Sequence, residues 1–265
     1  MRTIRAFFDN RGFIEVETPV RIPAPAPEVH IDCPEVKGGG FLRASPEIEM
    51  KKLLAAGYDL IYQIGPCFRE GEKGERHNPE FTMIEWYRRE ADYLDIKRDL
   101  TELMRELFGC RDFEVKTLTV REAYITYAGW DPWENFDADR FDFDMATKIE
   151  PAIAEIGGGV FLIDYPKEAS SLARLRGEVA ERWEFYFNGL ELANCFSELC
   201  ETREQSKRFG EARAQRVALG EADYPIDREF LELLPLIGRA SGVALGVDRL
   251  VMILTESKNI SAVRA

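Results

Sequence analysis

The sequence predicts an α+β chain, an antiparallel sheet with helices flanking it, and three features carry that expectation. Two stretches read as strand–turn–strand: 60–64 returning through 81–87, and 178–192 interrupted by the turn signal Asn188-Gly189. The stretch 95–108 places Leu100, Leu103, Met104 and Leu107 three and four apart, the spacing of an amphipathic helix. A glycine-rich apolar run, 241–248, flows directly into a helical run at 249–254.

In chain order, residues 1–10 set Ile4, Phe7 and Phe8 on one side of a helix that Gly12 ends. Phe13, Ile14 and Val16 then extend to Thr18-Pro19. Residues 21–40 are rich in Pro and Gly and read as loop with short strands, and Phe41-Leu42-Arg43 is a short strand. Ser45-Pro46-Glu47 opens a helix that runs through Ala56, with serine at the cap and proline in the first turn, and Gly57 closes it. Beyond the 95–108 helix, residues 117–128 read as another, since Thr119 begins a T-V-R-E capping pattern. Residues 129–160 show no clear period apart from one helix near 144–156, and read as an insertion or small subdomain. Residues 160–165 form a strand ended by Pro166, and 205–219 a charged helix. There is no internal repeat.

Composition bounds the function. The 265 residues are 45% hydrophobic, enough for a sizeable core. A net charge of −13 argues against a broad basic face for nucleic acid, while leaving room for a local positive pocket. Five cysteines without a C-x-x-C pair, and two histidines, argue against a zinc site. No 18-residue apolar run is present, no signal-peptide core precedes the first helix, and the odd cysteine count fits a reducing cytoplasm.

The stretch 68–88 is where chemistry concentrates. Between its two strands lie glycines, charges and Pro79, the makings of a hairpin loop. Arg69 stands at the end of the outgoing strand, with His77, Asn78 and Phe81 on the returning side. That set suits a nucleotide, because a guanidinium forks onto phosphate and an aromatic ring stacks on a base. A solvated charged hairpin is the other reading. Glu47 at a helix start either meets a ligand or simply complements the helix dipole. Glu184, Glu191 and Glu198 fall at equal intervals, with Asn194 between the last two. Glu184 and Glu191 on strand-like segments are either a carboxylate pair for magnesium on polyphosphate or solvated edge residues. Arg249, at a glycine-rich strand-to-helix junction, either reaches a phosphate or pairs with a surface acid.

Taken together these segments resemble the three signature motifs of class II aminoacyl-tRNA synthetases. Arg11-Gly12-Phe13 to Thr18-Pro19 resembles the first, Phe68-Arg69 through the hairpin the second, and Gly246-Val247-Asp248-Arg249 the third. H-N-P-E-F-T (77–82) and the E-x-x-N-x-F-x-E run (191–198) resemble lysyl-tRNA synthetase. S-P-E (45–47), 77–88, G-L-E-L-A-N (189–194) and 241–252 are closer still to the short paralogues of that enzyme that modify elongation factor P.

The resemblance implies a class II synthetase fold over 1–265, with 129–160 as an insertion. The first motif begins at Arg11, so no anticodon-binding barrel is expected before it, and the acidic charge agrees because transfer RNA binding relies on phosphate neutralisation. The implied reaction activates (R)-β-lysine or lysine with ATP as an aminoacyl-adenylate and passes it to a lysine side chain of elongation factor P. Transfer RNA is not the expected acceptor. A cytoplasmic homodimer joined through the first motif is expected, with magnesium accompanying ATP.

The roles implied for single residues follow. Arg69 and Arg249 are the catalytic pair, Arg69 on the α-phosphate and the amino-acid carboxylate, Arg249 with His77 on the distal phosphates. Asn78, Phe81 stacked on adenine, Glu191, Leu192 and Gly246 complete the ATP set. Glu184 and Glu191 take magnesium. Ser45 and Glu47 receive one substrate ammonium; Glu85, Tyr87, Asn194 and Glu198 line the place of the other. Glu85 and Tyr87, two apart on a strand, share a face. Ala244 stands where lysyl-tRNA synthetases carry glycine, and its methyl group is a candidate selector between lysine isomers. One departure concerns adenine: F-R-x-E is the usual second motif, but Gly71 occupies the acid's place, leaving Glu70 or Glu72 to substitute. Two alternatives remain: a truncated lysyl-tRNA synthetase catalytic domain that charges RNA, and a non-catalytic lysine-sensing paralogue.

Overall fold

The computed structural model describes residues 1–110 and 113–263. The chain opens with α1 (Arg2–Asp9), β1 (Ile14–Glu15), β2 (Arg21–Ile22), β3 (Phe41–Leu42) and α2 (Glu47–Ala55). The long hairpin β4 (Leu60–Phe68) and β5 (Glu80–Arg89) follows. Next come α3 (Tyr93–Phe108), β6 (Val115–Thr119), α4 (Val120–Ala123), α5 (Ala138–Asp144) and α6 (Glu150–Ile156). The remainder is β7 (Gly159–Pro166), β8 (Leu175–Arg176), β9 (Val179–Phe187), β10 (Leu190–Ser197), α7 (Thr202–Leu219), α8 (Arg228–Ile237), β11 (Ala240–Gly246) and α9 (Val247–Leu254).

Local chemistry explains many of these boundaries. Asp92 closes a capping box with Asp95 at the start of α3, and Gly109 ends the helix in the left-handed region. Thr119 caps α4 through Glu122, as its T-V-R-E pattern predicts, but the helix begins only at Val120. Residues 117–119, expected in that helix, belong to β6, which pairs in parallel with β7 from Val115↔Gly159 to Thr119↔Ile163. Ser45 does not sit at the cap of α2; Pro46 does, and the Ser45 Oγ accepts from the Glu47 amide at 2.9 Å instead. α8 was not foreseen because Pro235 falls inside it. It forms because Asp227 caps its start and Phe230, Leu231, Leu234 and Ile237 bury one face, outweighing the lost bond two residues before the end.

The chain folds as two compact units. The first comprises Met1–Phe7, Ala91–Leu199 and Ser241–Val243. In it β10 lies antiparallel to β9, β9 antiparallel to β7, and β8 against the far end of β9. Its core gathers Tyr124, Phe141, Ile149, Ile153, Val160, Leu162, Tyr165 and Tyr186, with Tyr124 and Phe141 stacked at 4.6 Å. The 120–156 segment thus supplies core to the first unit through α4 to α6 and the two π-helical turns, Tyr124–Ala128 and Met145–Ile149.

The second unit comprises Phe8–Glu90, Cys200–Ala240 and Ala244–Ala265. β4 and β5 pair antiparallel over nine positions, from Leu60↔Arg88 to Phe68↔Glu80, with β1 added in parallel to β4. The antiparallel expectation holds for β4/β5, β7/β9, β8/β9 and β9/β10, while β1/β4 and β6/β7 pair in parallel. Phe8 stacks on Tyr62 at 4.9 Å and lies against Trp86 at 5.1 Å, burying the hairpin's inner face. Asp248, buried, accepts from the Thr82 amide at 3.2 Å and ties the start of α9 to β5.

Candidate functional site

In the second unit the hairpin loop closes on itself: Arg69 N–H donates to Pro79 O at 2.9 Å and Gly74 N–H to His77 O at 3.0 Å. This closure holds Arg69 at the strand end with its guanidinium 5.2 Å from the centre of the Phe81 ring. Arg69 also pairs with Glu72 at 3.5 Å, and its buried Nε has no hydrogen-bond partner among the described residues. A guanidinium backed by a ring and holding an unused buried donor is prepared for an anion. Arg249, in the first turn of α9, donates from Nη2 to His77 Nε2 at 2.6 Å and from Nε to Arg76 O at 3.3 Å. Burial and the Arg249 charge push the His77 pKa down, so the ring is neutral at pH 7 and accepts that bond. Arg69, His77, Phe81 and Arg249 thus fall in one cluster, with Asn78 on its loop, Glu70 and Glu72 flanking Gly71, and Gly246 capping α9. Gly71 adopts φ +78°, a left-handed turn that suits glycine at this place.

A second cluster lies on the same unit. Glu85 is 0% exposed on β5. Its Oε1 accepts from Ser45 Oγ at 2.5 Å and its Oε2 from Tyr87 OH at 3.0 Å. Burial, then the neighbouring charge of Glu47, push its pKa up to about 8. Glu47 pairs with Lys51 one helical turn on. Ser45 and Glu47 line a cleft with Ile22, Glu28, Ile31 and Cys33. Behind β5, Gln63 opposes Glu85 and accepts from the amide and hydroxyl of Thr18 at 3.1 and 2.9 Å. Arg43, 1% exposed, donates to Thr18 O and Oγ1, both at 2.9 Å. Gly65 makes room for it, since a Cβ there would stand 2.7 Å from Arg43 Nη2. Ala244 is half-buried on β11.

The first unit carries the remaining carboxylates. The β9/β10 register opposes Glu191 to Tyr186 and Asn194 to Glu184, with a bulge between Glu191 and Ala193. The extra residue lets Glu191 and Asn194, three apart, share the face of Arg182, Glu184 and Tyr186. Leu192 falls inside the bulge and is buried. Arg182 donates to Ala169 O at 3.0 Å, to Asn194 Oδ1 at 3.3 Å and to Glu184 Oε1 at 2.5 Å; Tyr186 OH donates to Glu184 Oε2 at 2.7 Å. Burial, then the charge of Glu184, hold the Tyr165 and Tyr186 phenols well above their ordinary range. Two carboxylates on one face of adjacent strands, Glu184 on β9 and Glu191 on β10, are the oxygen donors that magnesium takes from a protein when phosphates supply the rest. Glu198 is buried just past the end of β10. Arg182, Lys51 and Arg43 were not singled out in the sequence; the Glu47/Lys51 and Arg182/Glu184 spacings of four and two were the available signals.

The family model described as "tRNA synthetases class II (D, K and N)" matches residues 1–265, and the chain belongs to that family. Within it the chain is similar to proteins named elongation factor P–(R)-β-lysine ligase. It is 38% identical over 301 residues to that of Proteus mirabilis (strain HI4320), covering 99% of this chain and 90% of the relative. To that of Actinobacillus succinogenes it is 38% identical over 298 residues, covering 100% and 91%. To that of Hamiltonella defensa it is 36% identical over 300 residues, again covering 100% and 91%.

Proposed function

We propose that this protein uses ATP to activate (R)-β-lysine, or lysine, as an aminoacyl-adenylate and transfers the acyl group to a lysine side chain of elongation factor P. Adenylation breaks the bond between the α-phosphorus and the oxygen bridging it to the β-phosphorus, forms the bond from a carboxyl oxygen to the α-phosphorus, and releases pyrophosphate, which keeps the bridging oxygen. The acceptor amine then attacks the acyl carbon and AMP leaves. The observation that carries this reading is Glu85: a carboxyl group 0% exposed, nested between Ser45 and Tyr87, with a pKa raised to about 8. A buried acid with two hydrogen-bond donors, beside a Lys51 that is itself paired with Glu47, is a costly arrangement that an incoming ammonium relieves.

The residues divide the work by chemistry. Arg69 takes the α-phosphate and the carboxylate, Phe81 stacks on adenine with Asn78 beside it, and His77 and Arg249 take the outer phosphates. Leu192 and Gly246 are assigned to the nucleotide by the family resemblance; Glu72, close to Arg69, substitutes for the missing motif acid together with Glu70. Ser45 and Glu47 receive the backbone ammonium and Glu85 with Tyr87 the side-chain ammonium, while Asn194 and Glu198 are assigned to the substrate by the family resemblance alone. Glu184 and Glu191 hold the magnesium that travels with ATP and screens its charge. No covalent enzyme intermediate is needed, because positioning and charge stabilisation suffice. The protein acts as a cytoplasmic homodimer in this reading.

Lysine-dependent exchange of pyrophosphate into ATP, run with both isomers, tests activation. Labelling of elongation factor P with radioactive lysine isomer, beside charging of lysine transfer RNA, tests the acceptor. Efficient charging of RNA with no labelling of the factor reverses the assignment, and size-exclusion chromatography tests the dimer.

A further inference from the structure

Arg216, on α7, has no role in the reaction as assigned, yet it is fully buried and uses its whole guanidinium. Nη1 donates to the carbonyls of Glu28 at 2.7 Å, Val29 at 3.4 Å and Ile31 at 3.0 Å. Nη2 donates to Asp32 Oδ1 at 2.5 Å, and Nε to Ala222 O at 2.9 Å. The guanidinium lies 4.2 Å from the centre of the Tyr224 ring, and the Tyr224 OH accepts from the Cys33 amide at 2.8 Å. Residues 23–34 contain no helix or strand, so their backbone groups depend on such partners.

The segment held this way meets the proposed site twice. Asp32 O accepts from the Glu70 amide at 2.7 Å, next to Arg69 at the strand end. Glu28, Ile31 and Cys33 line one cleft with Ser45 and Glu47. We infer that Arg216 is a positioning residue for lysine activation: by clamping 28–33 it sets the wall of the amine cleft and the placement of Arg69. The inference rests on the proposed activation reaction. Lysine cannot replace it, because one ammonium has three donors and no planar fork to span several carbonyls and a carboxylate.

The test uses the full chain with Arg216→Lys, Tyr224→Phe and, as a control on the same helix, Arg213→Met, which removes only a surface pair with Asp223. Amide hydrogen exchange and lysine- and ATP-dependent pyrophosphate exchange are measured on each. In Arg216→Lys, amides of 28–33 and of Glu70 lose protection while those of β4 and β5 keep it. The KM for the lysine isomer rises about tenfold to a hundredfold, the range expected for a misplacement near 1 Å. Tyr224→Phe raises that KM about fivefold, the worth of one ordinary hydrogen bond, and Arg213→Met leaves it unchanged. A loosened segment with a wild-type KM overturns the inference, since the arginine is then only structural. If Arg216→Lys does not fold, a wild-type KM in Tyr224→Phe overturns it alone. Absence of lysine-dependent exchange in the wild type overturns the activation reading instead; hydrogen exchange then judges the clamp, and unchanged protection refutes it.

Discussion

Replacing Glu85 with glutamine separates what the residue costs the fold from what it gives the reaction. The pKa of Glu85 rises from the ordinary glutamate value of 4.5 to about 8, through burial first and the charge of Glu47 second. In that window the folded protein keeps a proton that the unfolded chain has lost, so stability falls as pH rises from 4.5 to about 8 and is level above. At about 1.4 kcal/mol per pH step, the cost at pH 7 is about 3 kcal/mol. Glutamine escapes it but brings a second amide N–H that the protonated carboxyl does not have, and an extra buried donor gives back about 1 kcal/mol. The net gain of about 2 kcal/mol corresponds to a thermal midpoint about 4 °C higher for a chain of this size. Activity moves the other way. An ammonium facing an amide instead of a carboxylate loses about 3–4 kcal/mol, so kcat/KM for lysine falls about 100- to 1,000-fold. The assays are thermal unfolding from pH 5 to 9 and pyrophosphate exchange over the same range. The stability difference widens with pH, while the wild-type kcat/KM for lysine climbs toward pH 8 and that of Glu85→Gln stays flat. A variant no more stable at pH 8 than at pH 5, relative to wild type, refutes the electrostatic reasoning; unchanged lysine kinetics refute the substrate assignment.

Other substitutions probe the remaining parts. Arg69→Ala and Arg249→Ala each abolish adenylate formation while circular dichroism shows the fold retained; exchange near the wild-type rate in both removes the phosphate assignment. Ala244→Gly relieves one methyl's crowding and shifts the ratio of α- to β-lysine activation toward α-lysine by about 10–200-fold, and an unchanged ratio places isomer choice elsewhere. Gly65→Ala forces a Cβ to within 2.7 Å of the pinned Arg43 and lowers the thermal midpoint by about 2–5 °C, as overpacking of 1–3 kcal/mol requires; an unaltered midpoint means Arg43 is free to yield.

Legibility in the sequence followed the range of the interactions. Arg69, His77 and Phe81 were readable because one hairpin supplies them, and Glu85 with Tyr87 because a strand repeats every two residues. The evenly spaced Glu184, Glu191 and Glu198 invited grouping, but equal spacing is not what unites Glu184 with Glu191. A bulge does, by adding one residue between Glu191 and Ala193, and nothing local announces it. β6 was hidden because its partner, β7, lies some forty residues away in parallel, with no turn to mark the pairing. Arg216 sits on a helix charged along its length, and a loop more than 180 residues earlier in the chain determines that it is buried.

In the proposed reading, the charge arrangement around Glu85 bears on selectivity without reference to shape. Glu47 is already held by Lys51, and Glu85 is mostly protonated at pH 7, so the cluster carries little net charge of its own despite its two acids. A substrate with a side-chain ammonium supplies the counter-charge that ionises Glu85, and one proton leaves as it binds. An amino acid of equal length without that ammonium leaves Glu85 protonated and buries its own chain end against a polar nest of Ser45 and Tyr87. It forfeits the charge-assisted bond, about twice as strong as a neutral one. Proton release on binding is therefore the signature of the cationic substrate. Because that release is opposed at low pH, discrimination between lysine and its uncharged analogues sharpens as pH rises toward 8.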